Sequence, residues 1–424
     1  MRGSVLLRAA SAVATFTGAV SATGGFCVRK KVIIDTDFYN FSDDPNAIGI
    51  ANAFMSWGEI EVLGVISDIR SRYAPPAIDA INTFYGHPDI PLAISKPVDN
   101  SVYTPRNSFS AYTPLTFQKT QDPLYTEYPA YVDQLSQRFP EDTNDGENTT
   151  DPVTLYRTLL SKAPDNSVTI AAIGFFDALY LLVDSKPDAI SPLTGLELIK
   201  RKVTELVVQA AGTGTSFNIV RHNPLYPTHV LNQWPTKLTF VPGFIGSSVR
   251  WGSRLTTEVD LQKNPVAWAF NTTIGYNKTH QSWDPTAIYY AIRGLDDVYV
   301  YNKTGGSVFF MPNGTAIWRD NVPPTAPQNW VNLKISNVTF AGRLEGILLW
   351  QPGSAISPAQ SSCTGDNSTK PGSGGSGYGG NATVTGGGRP TPTGAISSGS
   401  ERSISIGGLT VAVIAGIVGM YLYT

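Results

Sequence analysis

The 424-residue chain holds only two cysteines, too few for a disulfide-dense scaffold or a zinc ribbon. Charge is scarce as well. Asp, Glu, Lys and Arg make up 15% of the residues, and 31 basic side chains nearly balance 33 acidic ones. That balance excludes a basic surface over the whole chain, so no nucleic-acid polymer is expected as a partner. It also argues against a highly charged disordered chain. No G-x-G-x-x-G and no G-x-x-x-x-G-K joins a strand to a helix in the body of the chain, so neither phosphate-cradling loop is indicated. What is present is a hydrophobic content of 42%, enough for a sizeable core, and 40 glycines, many of them near the C-terminus.

The two ends read as addresses. Residues 1–22 fit a secretory signal: Arg2 and Arg8 lead a small, apolar run, and Val20 and Ala22 suit the −3 and −1 positions of a cleavage site. Residues 353–403 are rich in Gly, Ser, Thr and Pro and read as a flexible, O-glycosylated stalk with the attachment region for an anchor. Residues 404–424 carry the apolar run Leu409–Tyr423. It follows the small residues Ser397–Ser400 and a short spacer containing Glu401 and Arg402. This is the pattern of a GPI-anchor signal. A type I transmembrane helix is the alternative, disfavoured because no Lys or Arg follows the run. Sequons at Asn148, Asn271, Asn277, Asn302, Asn313, Asn337, Asn367 and Asn381 support passage through the secretory pathway. A further sequon, Asn40-Phe41-Ser42, lies inside an acidic motif and is expected to stay unmodified. Cys27 and Cys363 bracket the body and could pair in an oxidising compartment, or remain two thiols. The expected location is the extracellular surface, with a GPI anchor to plasma membrane or cell wall.

Residues 23–352 read as one large α/β domain with a mostly parallel central sheet flanked by helices. Lys31–Asp37 is a short β-branched run ending in carboxylates. Asp44 and Pro45 open a helix, with Asp44 able to cap it. Strands are expected at Ile60–Ser67, Ile90–Ile94, Val168–Ile173 and Thr204–Ala210, and helices at Ala77–Tyr85 and Phe176–Val183. Such alternation implies an open parallel sheet. The polar stretch from Pro97 to Glu147 reads as a long insertion near the mouth of the site. Ligands of such sheets bind outside the carboxyl ends of the strands, where Asp35, Asp37, Ile173 and Gly174 fall.

Four carboxylates, Asp35, Asp37, Asp43 and Asp44, lie within ten residues. They repel one another unless a positive charge sits among them. A hard divalent cation with oxygen ligands resolves this, and Ca²⁺ suits a flexible cluster of carboxylates and carbonyls. The blander reading makes Asp43 and Asp44 residues of a helix N-terminus, favoured there by its dipole.

Asp35-Thr36-Asp37, then Asp43-Asp44 and a helix, resembles the N-terminal signature of the inosine/uridine-preferring nucleoside hydrolases. Pro76–Pro91, Val168–Gly174, Ser216–Asn218, Trp234–Phe244 and Ser282–Ala291 resemble later segments of that family, in the right order, over about residues 32 to 350. The resemblance implies extracellular, Ca²⁺-dependent cleavage of the N-glycosidic bond of ribonucleosides to ribose and free base. Asp37 would bind the metal and act as general base on a water held by it. Asp44, the backbone carbonyl of Ile173 and Asp284 would complete the protein ligands. Asp43 and Asn218 would bind the ribose, Trp283 would stack on the base, and Asp35 would support the ligands from behind. Family members are often dimers or tetramers, and the residues decide no oligomeric state.

There are departures. Tyr39 and Phe41 occupy a loop where the family has Gly and Asp, Ser216 stands where Glu is frequent, and Ser71 where Asn is. Trp283 replaces a His that assists the leaving group in nonspecific members; purine-preferring members have an aromatic there. Read without the resemblance, Trp283 is a core or rim aromatic, Asn218 a turn residue and Asp284 a helix N-cap. The departures leave two rival readings: a surface protein that binds a glycan or nucleoside without turnover, and a hydrolase of another glycoside. Among the histidines, His87 reads as structural, His222 and His229 as surface or capping residues, and His280 as part of an exposed loop.

Overall fold

The computed structural model describes residues 29–39, 41–98, 131–212, 216–220, 225–311, 314–321 and 325–355. The signal at 1–22, nearly all of the stalk, the 404–424 tail, Cys27, Cys363, His222 and sequons Asn40, Asn313, Asn367 and Asn381 lie outside them.

Eight strands form one sheet: β1 (Lys30–Thr36), β2 (Ile60–Ser67), β3 (Leu92–Ile94), β4 (Val168–Ala172), β5 (Val203–Gln209), β6 (Lys237–Val241), β7 (Tyr299–Thr304) and β10 (Gln328–Leu333). Their order is β3-β2-β1-β4-β5-β6-β10-β7, all parallel except the β10–β7 pair. A separate antiparallel pair, β8 (Ser307–Phe310) and β9 (Ala316–Arg319), stands outside that sheet. The continuous apolar runs follow from burial on both faces. Along β1, Val32 and Ile34 enter one core and Ile33 the other. Along β5, Val207 faces the first core, and Leu206 and Val208 the second.

The order in which strands are added reverses between β1 and β4: β2 and β3 extend the sheet one way, β4, β5 and β6 the other. That reversal opens a crevice at the carboxyl ends of the two central strands. The register pairs Asp35 with Ala172, and Ala172 with Val208, so Asp37, Ile173 and the residues after Gln209 emerge side by side.

Helices cover the sheet: α1 (Asp43–Ser56), α2 (Ala74–Phe84), α3 (Val132–Arg138), α4 (Pro152–Lys162), α5 (Asp177–Asp184), α6 (Gly195–Lys202), α7 (Phe217–Val220), α8 (Leu225–Gln233), α9 (Gly243–Ser248), α10 (Ser253–Glu258), α11 (Pro265–Thr273), α12 (Trp283–Arg293) and α13 (Asn337–Leu349). None of the described helices is long and apolar enough to cross a membrane.

Two expectations need correction. Asp44 does not cap α1: the cap position is Ser42, without a side-chain bond, and Pro45 is the third helical residue. The Asp44 side chain turns instead to the Thr36 hydroxyl. The stretch 97–147 is not all loop, because α3 lies within it and packs on α2. Its sequence is polar, but Tyr131, just ahead of it, is fully buried and donates its hydroxyl to the Phe41 carbonyl at 2.9 Å. That bond brings this part of the insertion to the loop after β1.

Candidate active site

Three carboxylates converge at the crevice. Asp37 follows β1, Asp44 is the second residue of α1, and Asp284 is the second residue of α12. Each offers an oxygen within 4.8 Å of the other two. They are 7%, 2% and 4% exposed, respectively. Asp284 is therefore not an N-cap; Ser282 holds that position. Asp43, 5% exposed, lines the same space, with the backbone N–H groups of Asp284 and Asp44 near enough to favour its charged form. The helices α1 and α12 pack against each other.

Burying unpaired carboxylates is costly, and such groups escape the cost by taking up protons or a cation. Burial, then the charges of Asp43 and Asp35, push Asp37 up to about 8. Burial raises Asp43 to about 6, with backbone N–H donors pulling the other way. Burial, then neighbouring carboxylates, hold Asp44 and Asp284 well above the usual range. Mutual convergence, oxygen-only donors and burial fit a hard divalent cation. Asp37, Asp44 and Asp284 are the residues that would hold it.

Behind this triad lies a second acidic group. Asp35 is fully buried, accepts the Tyr156 hydroxyl at 2.6 Å and does not line the cleft. Asp68 lies beside it, and the Asp35 charge helps push the Asp68 carboxyl up. Burial first raises Asp35 to about 7 and takes Asp68 well above the usual carboxylate range. Asp177, at the start of α5, adds a third buried acid whose charge both feel. The sequence reading missed Asp68 and Asp177. Asp68 was findable, since it follows β2 as Asp37 follows β1.

The cleft holds about 470 Å³. Asn218, on α7, lines it and donates its side-chain amide to the Ile173 carbonyl at 2.6 Å. This joins two residues expected at the site, and a carbonyl with two lone pairs can still accept a second partner. Trp283 lines the cleft with its indole N–H on the Ser247 hydroxyl at 3.0 Å. Gly246 permits this, because a Cβ there would come within 2.4 Å of the Trp283 Cα. Phe41, Phe217 and Phe244 also line the cleft. Phe217 and Phe244 lie within segments that resemble the family but were not foreseen as site residues.

Tyr39 does not line the cleft; it packs, partly buried, against the core. Ser216 lines the cleft, its hydroxyl oxygen accepting the Ala211 N–H at 2.9 Å. His280 is not on an exposed loop. It is half-buried, its ring edge-on to Trp283 at 5.8 Å, and burial holds it down at about 4. His87 bonds to the Ser56 hydroxyl at 2.9 Å, and His229 to Asp184 at 2.8 Å, both on other elements than the cleft's.

The sequence matches no protein-family model and no curated protein. Its fold does match solved structures. The inosine-uridine preferring nucleoside hydrolase from Bacillus anthracis aligns at TM-score 0.53 and 13% identity, over 76% of this chain and 99% of that one. A plant nucleoside hydrolase aligns at TM-score 0.51 and 17% identity, over 76% and 98%. A purine-preferring ribonucleoside hydrolase from Gardnerella vaginalis aligns at TM-score 0.50 and 14% identity, over 76% and 97%. The chain thus has a nucleoside hydrolase-like α/β fold.

Proposed function

We propose that the protein is a Ca²⁺-dependent ribonucleoside hydrolase that cleaves the N-glycosidic bond to give ribose and a free base. The observation that carries this is the convergence of Asp37, Asp44 and Asp284 within 4.8 Å at the carboxyl end of the sheet. Ca²⁺ is the cation suited to buried carboxylates supplemented by a backbone carbonyl. When bound, it supplies positive charge for a sugar diol and lowers the pKa of a water.

This chain's residues do the rest. Asp37 receives the proton of the attacking water. Asp43 accepts a ribose hydroxyl. Asn218, oriented by its bond to Ile173, places its amide oxygen toward the sugar. The bond to the base weakens through an oxocarbenium-like transition state. Trp283 stacks on the base, favours a purine and shields the departing group from water. Tyr39 leaves the cleft free, which supports turnover over a binding-only protein.

The test is ribose release from inosine, adenosine, guanosine and uridine with and without chelator. Asp37→Ala is expected to lower kcat by about a thousand-fold, the scale of a lost general base that also touches the cation. Chelator-insensitive release, or full activity in Asp37→Ala, would overturn the reading.

We further place the protein outside the cell, GPI-anchored at the surface after loss of residues 1–22 and the 404–424 tail. Asn148, Asn277, Asn302 and Asn337 are exposed, as glycan acceptors must be, and this supports the reading. A phosphatidylinositol-specific phospholipase should release the protein from intact cells; retention in the membrane would favour a spanning tail.

A further inference from the structure

We propose that Gln209 is a substrate-binding residue of the cleft, its carboxamide hydrogen-bonding the bound ribonucleoside. This rests on the nucleoside reading above. Gln209 is the last residue of β5, so it stands at the carboxyl end of the sheet, beside Ile173 at the end of β4. Residues 205, 207 and 209 share one face of that strand. Val207 on this face enters the first core, to which α1 and α12 also contribute. Helix α12 packs across β5, and its Tyr290 hydroxyl donates to Glu205 at 3.2 Å near the start of the strand. The opposite end of α12 carries Trp283 and Asp284, which line the cleft together with Gln209.

The two polar residues of this face differ in what holds them. Glu205 accepts the Thr239 hydroxyl at 2.6 Å as well as that of Tyr290, and pairs with Lys237 at 3.0 Å. Its carboxylate is part of the packing. Gln209 is 9% exposed, and its carboxamide makes no hydrogen bond with any other described residue. A buried amide without a protein partner is costly, and an apolar side chain of the same length would fill the position without that cost. Folding therefore gives no reason for an amide here, and a ligand in the cleft it lines does. The carboxamide offers two donors and an acceptor, which suits the hydroxyls of a sugar and the polar edge of a base alike.

The experiment compares the full chain, loaded with Ca²⁺, with its Gln209→Met variant, which keeps the side-chain length and deletes the amide. The probes are adenosine, inosine and the 2′-, 3′- and 5′-deoxy forms of adenosine. Sugar release gives kcat and KM, calorimetry gives affinity, and melting curves without nucleoside report the fold. Gln209→Met is expected to lower kcat/KM for adenosine by about ten-fold, the scale of one lost hydrogen bond. It should melt at the same or a higher temperature. The loss should also be selective. It nearly vanishes for the deoxy form that lacks the hydroxyl Gln209 holds, or differs between adenosine and inosine if Gln209 holds the base; either result upholds the proposal. No loss, or an equal loss for all five compounds, overturns it. If no nucleoside is cleaved even by the unaltered chain, the hydrolase reading falls, and affinity decides this proposal. Weaker nucleoside binding by Gln209→Met then upholds it, and equal or absent binding overturns it.

Discussion

Asp37 shares a largely buried space with Asp43, Asp44 and Asp284, and the charges of these acids make one another harder to ionise. Trp283 is the other residue whose role depends on position. Its half-buried ring is fixed by Ser247 on one side and by His280 edge-on. Because burial keeps His280 neutral, it serves to hold the ring and carries no charge toward the base near neutral pH. Trp283→Ala is expected to lower kcat/KM for purine nucleosides by roughly ten-fold, and for uridine by less, since stacking scales with ring size. Ribose-release kinetics with both base classes check this. An equal loss for all bases would assign Trp283 to packing alone.

At the scale of elements, the site depends on how closely β4 approaches β1. Gly174, just after β4, lies against the turn that carries Asp37: a Cβ there would sit 2.5 Å from the Asp37 nitrogen and 2.7 Å from an Asp68 oxygen. Its backbone N–H also donates to the Asp35 carbonyl at 3.1 Å. Backbone cannot yield as a flexible side chain can, so Gly174→Ala should cost about 1–3 kcal/mol of stability, the usual cost of overpacking. It should also weaken cation binding by displacing Asp37. Urea unfolding and a calcium titration measure the two effects separately. A variant with unchanged stability and unchanged affinity would show that the strand ends can part without harm.

For the whole molecule, the buried acids link folding to pH and to cations. Unfolded, an aspartate titrates near 3.8; folded and free of cation, Asp37 does so near 8. Between those values the folded state binds more protons, so stability falls as pH rises. The cation-free protein should therefore melt at a lower temperature at pH 8 than at pH 5. Added Ca²⁺ should raise the midpoint at both, and more at pH 8, because it takes the place of the protons and binds the folded state. Differential scanning calorimetry with chelator and with Ca²⁺ checks this. A midpoint that rises from pH 5 to pH 8 without cation would mean the carboxylates are not held as described.

The order of strands and helices was legible in the chain because buried parallel strands read as short apolar runs and the carboxylates stand where those runs stop. Asp37 and Asp44 could be named from the acidic cluster after the first of those runs, whereas Asp284, 240 residues beyond Asp44, was reached only through the family resemblance. Helix α3 could not be read, since its polar face is written in the sequence and the Tyr131 anchor depends on a loop 90 residues earlier. The same holds for the ring walls. Phe217 and Phe244 look like any core phenylalanine until β5, β6 and α9 bring them to one cleft. The closeness of Asp35 and Asp68 likewise depends on β1 lying beside β2. Local patterning determines which segments are strands and where their polar ends fall, because it acts through neighbours in the chain. Which of those ends share a cavity, and how far water is excluded from it, is decided by contacts between distant segments that only the packed sheet creates.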